Sequence, residues 1–379
     1  MDKQNRILQI CALNAGGIET FVMNIYRELR KENIIFDFIN YFDSNIEQFH
    51  EKEVMEYGSR IYKTGSMNYK NILYKHIHKD ICLYKFLKKN KYSVVHIHAS
   101  DNISLEDAFI AKIAGVKKII VHSHNSSVNK NEKLYRFKNI FQRFTKIFWR
   151  YTATNYFACS KLAAEWMFDK KLNNLNKVEI INNAIDAEQY KFDQYIRKDI
   201  RKELNLENKF VIGHIGRFSY QKNHEFLIDI FYEFNKINKN SVLLLIGEGE
   251  LKTKIEKKVR DLNIEDSVIF YGLSKRCSKL MQAMDVFLLP SHFEGLPLVG
   301  IEAQAASLKL IVSNNVSKQM KITDNVEYVP LENGSKMWAK IINKYCQGYK
   351  REYMLQEIEK SGYGILGVSK QIKKYYVNS

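Results

Sequence analysis

Residues 285–306 read DVFLLPSHFEGLPLVGIEAQAA. The apolar run Val286 to Leu289 has the length of a buried strand, and Pro290 to Pro297 reads as a Pro/Gly-punctuated loop. A helix is expected from about Leu298. A loop at the carboxyl end of a strand, opening into a helix, is where open α/β sheets bind ligands. The start of that helix offers free N–H groups and a positive dipole end to an anion. Glu294 in the loop and Glu302 about a turn into the helix would then reach two parts of one bound molecule. Carboxylates accept two hydrogen bonds from vicinal hydroxyls, so a polyol or nucleoside is the expected ligand.

The same alternation surrounds this stretch. Phe210–Ile215, Val242–Ile246, Val268–Tyr271 and Leu310–Ser313 read as strands. Glu225–Asn235, Leu251–Leu262 and Lys279–Met284 read as helices. The first half repeats the theme, with strands at Ile7–Leu13, Phe36–Tyr41, Val94–His98, Ile119–His122, Tyr156–Cys159 and Val178–Asn182. Helical spacing occupies Thr20–Arg30 and resumes from Lys161. Strands alternating with helices imply parallel sheets. A length of 379 residues exceeds one ordinary core. The polar segment Asp186–Glu207 reads as the boundary, which gives domains at 1–186 and 187–364. A last helix near Ser369–Tyr376, within 365–379, is expected to pack back on the first half. The fold class is therefore α/β with two doubly wound, Rossmann-like domains.

The net charge of +17 calls for an anionic partner: nucleic acid, an anionic membrane or a diphosphate substrate. No apolar run approaches the ~18–20 residues that span a bilayer. Ile7–Leu13 is too short for a signal peptide, and the five cysteines show neither metal spacing nor a disulfide framework. A cytoplasmic protein is expected.

Several strand-end motifs point the same way. Gly16-Gly17 follows the first strand and opens a helix, where paired glycines allow close backbone approach to a phosphate. The third glycine of a dinucleotide fingerprint is missing. Gly213-His214-Ile215-Gly216-Arg217 ends a strand, with Lys222 five residues on. Arg217 could bind a diphosphate bidentately and Lys222 as a point charge; the plainer alternative is two solvated surface cations. Gly247-Glu248-Gly249 and Phe270-Tyr271-Gly272 end two more strands and could frame a nucleoside or be ordinary turns. His96/His98 and His122/His124 alternate at strand spacing, so each pair shares a face. No matched carboxylate or cysteine accompanies them, and no metal is expected. One of His122 and His124 is expected to line the cleft, in a loop rich in hydrogen-bonding groups (Ser123, Asn125, Ser126, Ser127).

These residues resemble the retaining GT-B glycosyltransferases of family 4, in particular those of bacterial capsule and exopolysaccharide synthesis. The resemblance runs through LNAGGIETFVMNIYREL, IIVHSHNS, FACSKLAAEWMF, VEIINNAID, VIGHIGRFSYQKNHEFLIDIF, LLLIGEGEL and VIFYGLSK, and ends in the Glu-x7-Glu stretch. It implies transfer of a sugar from a nucleotide sugar, a UDP-sugar in the first instance, to a lipid-linked glycan without a metal or cofactor. It further implies that Arg217 and Lys222 hold the diphosphate and that Glu302 binds the ribose. Glu294, with the backbone N–H groups of Gly295 and Leu296, would hold the transferred sugar. Gly16 and Gly17 would face the diphosphate from the other domain, and His124, or His122 in the alternative register, would be the cleft histidine. The reaction would be a front-face displacement in which the protein positions and stabilises. A nucleotide-sugar epimerase of the same fold and a non-catalytic nucleic-acid-binding protein are the competing readings; no recognition motif supports the latter.

The first half carries a basic, aromatic stretch. In residues 130–150 (KNEKLYRFKNIFQRFTKIFWR), Phe137, Ile140, Phe141, Phe144, Ile147 and Phe148 share a helical stripe. Lys133, Arg136, Lys138, Arg143, Lys146 and Arg150 fall largely off it. The stripe reads either as core-facing or as an interfacial helix touching anionic lipid on the inner face of the cell membrane. Lys85, Lys88, Lys89 and Lys91, within residues 70–91, add basic surface.

Overall fold

A computed structural model describes residues 5–100, 102–125, 140, 143–174 and 176–377. The chain divides into two compact units: residues 1–184 with 365–379, and residues 185–364.

The first unit is built on seven parallel strands: β1 (Asn5–Ile10), β2 (Ile34–Asn40), β3 (Ile61–Lys63), β4 (Val94–Ala99), β5 (Lys118–Ser123), β6 (Asn155–Ala158) and β7 (Val178–Ile180). Their order is β3-β2-β1-β4-β5-β6-β7. The strands are near-continuous Ile/Val/Phe runs because both faces are covered. Leu83, Leu87, Ala108, Ala111 and Trp149 from the helical segments join one core beneath the sheet. The terminal helix, Ile365–Val377, belongs to this unit. Its Tyr376 hydroxyl lies 2.6 Å from His96 Nδ1 and accepts a 3.3 Å hydrogen bond from Gln9 Nε2.

The second unit has six parallel strands: β8 (Phe210–Ile215), β9 (Ser241–Ile246), β10 (Val268–Gly272), β11 (Val286–Leu289), β12 (Lys309–Ser313) and β13 (Val326–Val329), in the order β10-β9-β8-β11-β12-β13. Two parallel sheets of this kind form the doubly wound architecture expected from the sequence. In each sheet the chain order reverses at one place, between β1 and β4 and between β8 and β11. Loops diverge there, which leaves a crevice at the carboxyl ends of the strands.

One omission and one expectation need correcting. No element is expected from the sequence in the polar segment Asp186–Glu207, but it contains the helix Gln194–Glu203, capped by the Asp193 carboxylate. Only Ile200 of that helix is buried. Arg197 and Arg201 fasten it instead, donating to the carbonyls of Gln282, Ala283 and Met284 at the end of the helix Cys277–Ala283. Guanidinium groups at unpaired helix-end carbonyls do the work that an apolar stripe does elsewhere. The core-facing reading of residues 130–150 also fails where the chain is described. Trp149 is fully buried, but Phe144, Ile147 and Phe148 are 74%, 40% and 51% exposed. Lys133, Arg136, Phe137, Lys138 and Phe141 lie outside the described residues.

Candidate active site

In the second unit, the loops after β8 and β11 flank the point where strand order reverses. They bring Lys222 and Glu294 together: Nζ lies 2.5 Å from Oε1, and both side chains are largely buried. Glu294 is held further by Gln221, whose Nε2 donates to Oε2 at 2.9 Å, and by Ser291, whose hydroxyl donates to Oε1 at 3.1 Å. The loop carrying Glu294 is pinned on both sides. His292 N–H donates to the Gln221 carbonyl, and Ser317 N–H donates to the Glu294 carbonyl. Such a carboxylate is fixed before any ligand arrives, which lowers the ordering cost of binding.

Lys222 reaches Glu294 across Gly216. A Cβ on Gly216 would stand 3.2 Å from Lys222 Cδ and Cε, so the absent side chain is what leaves room for the lysine stem. Asn223, in the left-handed conformation, turns the chain into the helix His224–Ile237 and donates to the Pro290 carbonyl, tying the two loops together.

Glu302 sits five residues into the eight-residue helix Leu298–Ala305 and is 7% exposed. Burial pushes its carboxyl up to about 7; a Tyr190 hydrogen bond and the charge of Lys222 pull the other way without offsetting it. A carboxylate kept out of water with little compensation is unusual in a purely structural position.

Arg217 is not part of the Lys222–Glu294 contact. Its side chain is 74% exposed and lies 3.3 Å from Glu250. Glu248, also exposed, pairs with Lys252 at 2.6 Å. Tyr271 is half-buried at the end of β10. Gly295 is exposed and Leu296 half-buried, one turn before the helix. The glycines after β9 have a local reason. Gly247 has φ +143°, and a Cβ there would lie 2.1 Å from the Gly216 carbonyl oxygen. A Cβ on Gly249 would collide with the Phe218 backbone.

In the first unit, Gly16 precedes the helix Gly17–Leu29 with extended backbone. A Cβ on Gly16 would lie 2.4 Å from Glu19 Oε2, whereas nothing stands within 4 Å of one on Gly17. Gly17 is thus the open position, and Gly16 accommodates its own helix. Burial raises the pKa of Glu19.

The four histidines form one column. In the β4–β5 register His98 faces His122. His122 and His124 stack at 4.2 Å, His96 and His122 at 5.5 Å. His98 Nδ1 lies 2.9 Å from His124 Nε2, and its Nε2 lies 2.9 Å from Gln9 Oε1. His122 is fully buried, while His124 is half-buried at the strand's end. Desolvation lowers all four pKa values, to about 3 for His96 and His124, and keeps the rings neutral. One nitrogen each of His96, His98 and His122 falls within 4.8 Å of the others. That convergence was missed in the sequence. A tetrahedral metal with Zn–N bonds of about 2.0–2.1 Å needs imidazole nitrogens aimed at one centre. Here His98 already uses both nitrogens, and the rings of His96 and His122 stack face to face. Of the loop beyond, Ser123 is buried and donates to the Ala163 carbonyl. Asn125 is exposed, and Ser126 and Ser127 lie outside the described residues.

Sequence reasoning did not find Gln221, Ser291 or Tyr190. Gln221 adjoins Lys222 and Ser291 opens the loop of Glu294, so proximity to the motifs was the available signal; nothing in the sequence marks Tyr190.

Comparison with known proteins shows the family and the fold. Residues 15–189 match the model of Glycosyltransferase Family 4, and residues 196–361 match that of Glycosyl transferases group 1. The chain belongs to these glycosyltransferases. It is 29% identical over 372 residues to the putative glycosyltransferase EpsF of Bacillus subtilis, covering 95% of this chain and 93% of that one. It is 31% identical over 240 residues to the Escherichia coli UDP-Gal:alpha-D-GlcNAc-diphosphoundecaprenol alpha-1,3-galactosyltransferase, covering 62% of this chain and 61% of that one. Among solved structures, Anabaena HepE in complex with UDP and glucose superposes with a TM-score of 0.75 at 16% identity, covering 99% of this chain and all of that one. The fold of this glycosyltransferase is therefore GT-B. Its Glu-x7-Glu stretch lies in the part matched to group 1.

Proposed function

We propose that this glycosyltransferase moves a sugar from a UDP-sugar to a lipid-linked glycan in the synthesis of a bacterial surface or secreted polysaccharide, with retention at the anomeric carbon. The observation that carries the reading is the Lys222–Glu294 pair at the reversal point of the second sheet, with the buried Glu302 eight residues on. In this reading Lys222 meets the donor's diphosphate and leaves Glu294 free to accept hydrogen bonds from the sugar hydroxyls. Arg217, exposed and loosely paired, swings onto the second phosphate. Glu302 accepts both ribose hydroxyls. The helix start at Leu298 adds a positive field where the leaving diphosphate gains charge.

No carboxylate pair here has the separate acid and nucleophile roles of a retaining glycosidase. Retention is assigned instead to front-face attack: the acceptor hydroxyl bonds to the anomeric carbon as the bond to the phosphate oxygen breaks, and its proton passes to the departing phosphate. The bonds made are one C–O and one O–H; those broken are one C–O and one O–H. Glu248 and Tyr271, at strand ends of the same unit, contribute to donor binding. No metal is assigned a part, so EDTA should leave turnover unchanged.

The E. coli relative's name supplies the model for donor and acceptor. The test is a donor screen with diphosphoundecaprenol-linked acceptors, reading nucleotide release and product anomer. Acceptor-dependent UDP release with an α-linked product from an α-linked donor is expected. Conversion of the nucleotide sugar to an isomer without free nucleotide would refute transfer.

A further inference from the structure

The helix Ile72–Asn90 has two apolar faces, and the fold uses one. Leu83 and Leu87 enter the core of the first unit together with Ala108 and Ala111 from the neighbouring helix Leu105–Ile113. Lys79 on the same side bridges Glu106 and Asp107 at 2.8 and 3.0 Å, and His76 Nδ1 lies 2.7 Å from Glu106, so the two helices are bolted together. On the other side, Leu73, Ile77, Ile81 and Tyr84 are 70%, 47%, 48% and 37% exposed. Spacings of four, four and three residues put them on a single stripe. The neighbouring helix adds Phe109 and Ile113, each about half exposed. Scattered single apolar residues on a surface are ordinary; a stripe three turns long is a contact face.

The charge around the stripe identifies its occupant. Lys85, Lys88 and Lys89 are exposed beside it, and Lys112 is exposed on the neighbouring helix. The only acid in Ile72–Asn90 is Asp80, half-buried and 3.7 Å from Lys79. Glu106 and Asp107 are engaged by the same lysine. An outward face of leucine, isoleucine and tyrosine rimmed by uncompensated lysines is complementary to a surface that is apolar below and anionic above. A second copy of this chain would bring lysine row against lysine row in a symmetric pairing.

We infer that the outer face of the helices Ile72–Asn90 and Leu105–Ile113 docks on an anionic lipid membrane, with Leu73, Ile77 and Ile81 entering the headgroup region. The inference does not depend on the transfer reaction, because docking is read without donor or acceptor. Its consequence for the proposed function is that the first unit would meet its lipid-linked acceptor at a surface.

The experiment is sedimentation of the full chain with vesicles of phosphatidylcholine alone or with 30% phosphatidylglycerol, at 50 and 500 mM NaCl. Binding is expected to the anionic vesicles only and to fall at least tenfold at the higher salt. The variant Leu73→Ser/Ile77→Ser/Ile81→Ser should lose at least tenfold in vesicle binding, as should Lys85→Glu/Lys88→Glu/Lys89→Glu. All three substituted apolar side chains are outside the core, and unchanged Tm and UDP binding verify that each variant is folded. The inference is overturned if the wild type ignores anionic vesicles, or if folded variants bind them as the wild type does. It is equally overturned if the wild type forms a dimer in solution that the serine variant abolishes. Vesicle binding without transferase activity would refute the proposed function and leave the docking face standing.

Discussion

Replacing Glu302 by Gln should make the donor-free protein more stable and the enzyme worse. Burial lifts this carboxyl from the ordinary 4.5 to about 7 in the folded chain. A group raised in the folded state contributes stability that is fully present below its unfolded value and lost as pH rises through the folded one. Here that window runs from about 4.5 to 7. The full shift corresponds to about 3 kcal/mol, of which about 1 kcal/mol is already lost at pH 5 and nearly all at pH 8. Gln has almost the same shape and no charge to desolvate. Relative to wild type, Glu302→Gln should therefore gain about 2 kcal/mol more at pH 8 than at pH 5. For a domain of this size that is a widening Tm gap of roughly 4–8 °C. The assay is thermal unfolding of both proteins at the two pH values without nucleotide, so that other titrating groups cancel in the difference. Donor affinity should move oppositely, falling about 10- to 100-fold, because a charged acceptor for the ribose hydroxyls is lost. A Tm gap that does not change with pH, or a variant less stable than wild type at pH 8, would refute the reasoning.

Four further results are expected. Because ribose binding uses the ionised form of Glu302, UDP-sugar affinity should rise about tenfold from pH 6 to pH 8; calorimetric titration showing a flat profile would contradict this. Lys222→Ala and Glu294→Ala should each lower kcat at least a hundredfold, and near-normal turnover in both would remove the site assignment. Gln221→Ala and Ser291→Ala release Glu294 without removing it, so kcat should fall about tenfold with little change in donor Kd. Gly247→Ala sets a Cβ against the Gly216 carbonyl at a positive φ and should cost about 2–3 kcal/mol, read as a lowered Tm.

Much of the second unit was legible because its strands are short apolar runs closed by turn residues. Phe210–Ile215 and Val286–Leu289 end where the composition changes, and the structure has the same bounds. The helix Gln194–Glu203 was not legible because arginine-to-carbonyl bonds hold it and it carries almost no apolar signal. Ile72–Asn90 was read only as basic surface, since its outward stripe blurs the single-faced periodicity that marks a helix. The edge strand Ile61–Lys63 is too short to stand out, and in Val326–Val329 the apolar run is broken by Glu327. The site residues were found one by one, but their grouping was not. Lys222 and Glu294 meet only because β8 and β11 are neighbours in the sheet, a consequence of topology that local patterns do not encode. The histidine column likewise needs β4 and β5 in register.

The central claim is that the strand ends around Lys222 and Glu294 hold the donor. A crystal structure of the full chain with the UDP-sugar it turns over tests this directly. The diphosphate should lie within hydrogen-bond distance of Lys222 Nζ, the ribose hydroxyls on the Glu302 carboxylate and the sugar hydroxyls on Glu294. A nucleotide bound elsewhere, with the Lys222–Glu294 pair intact, would contradict the account.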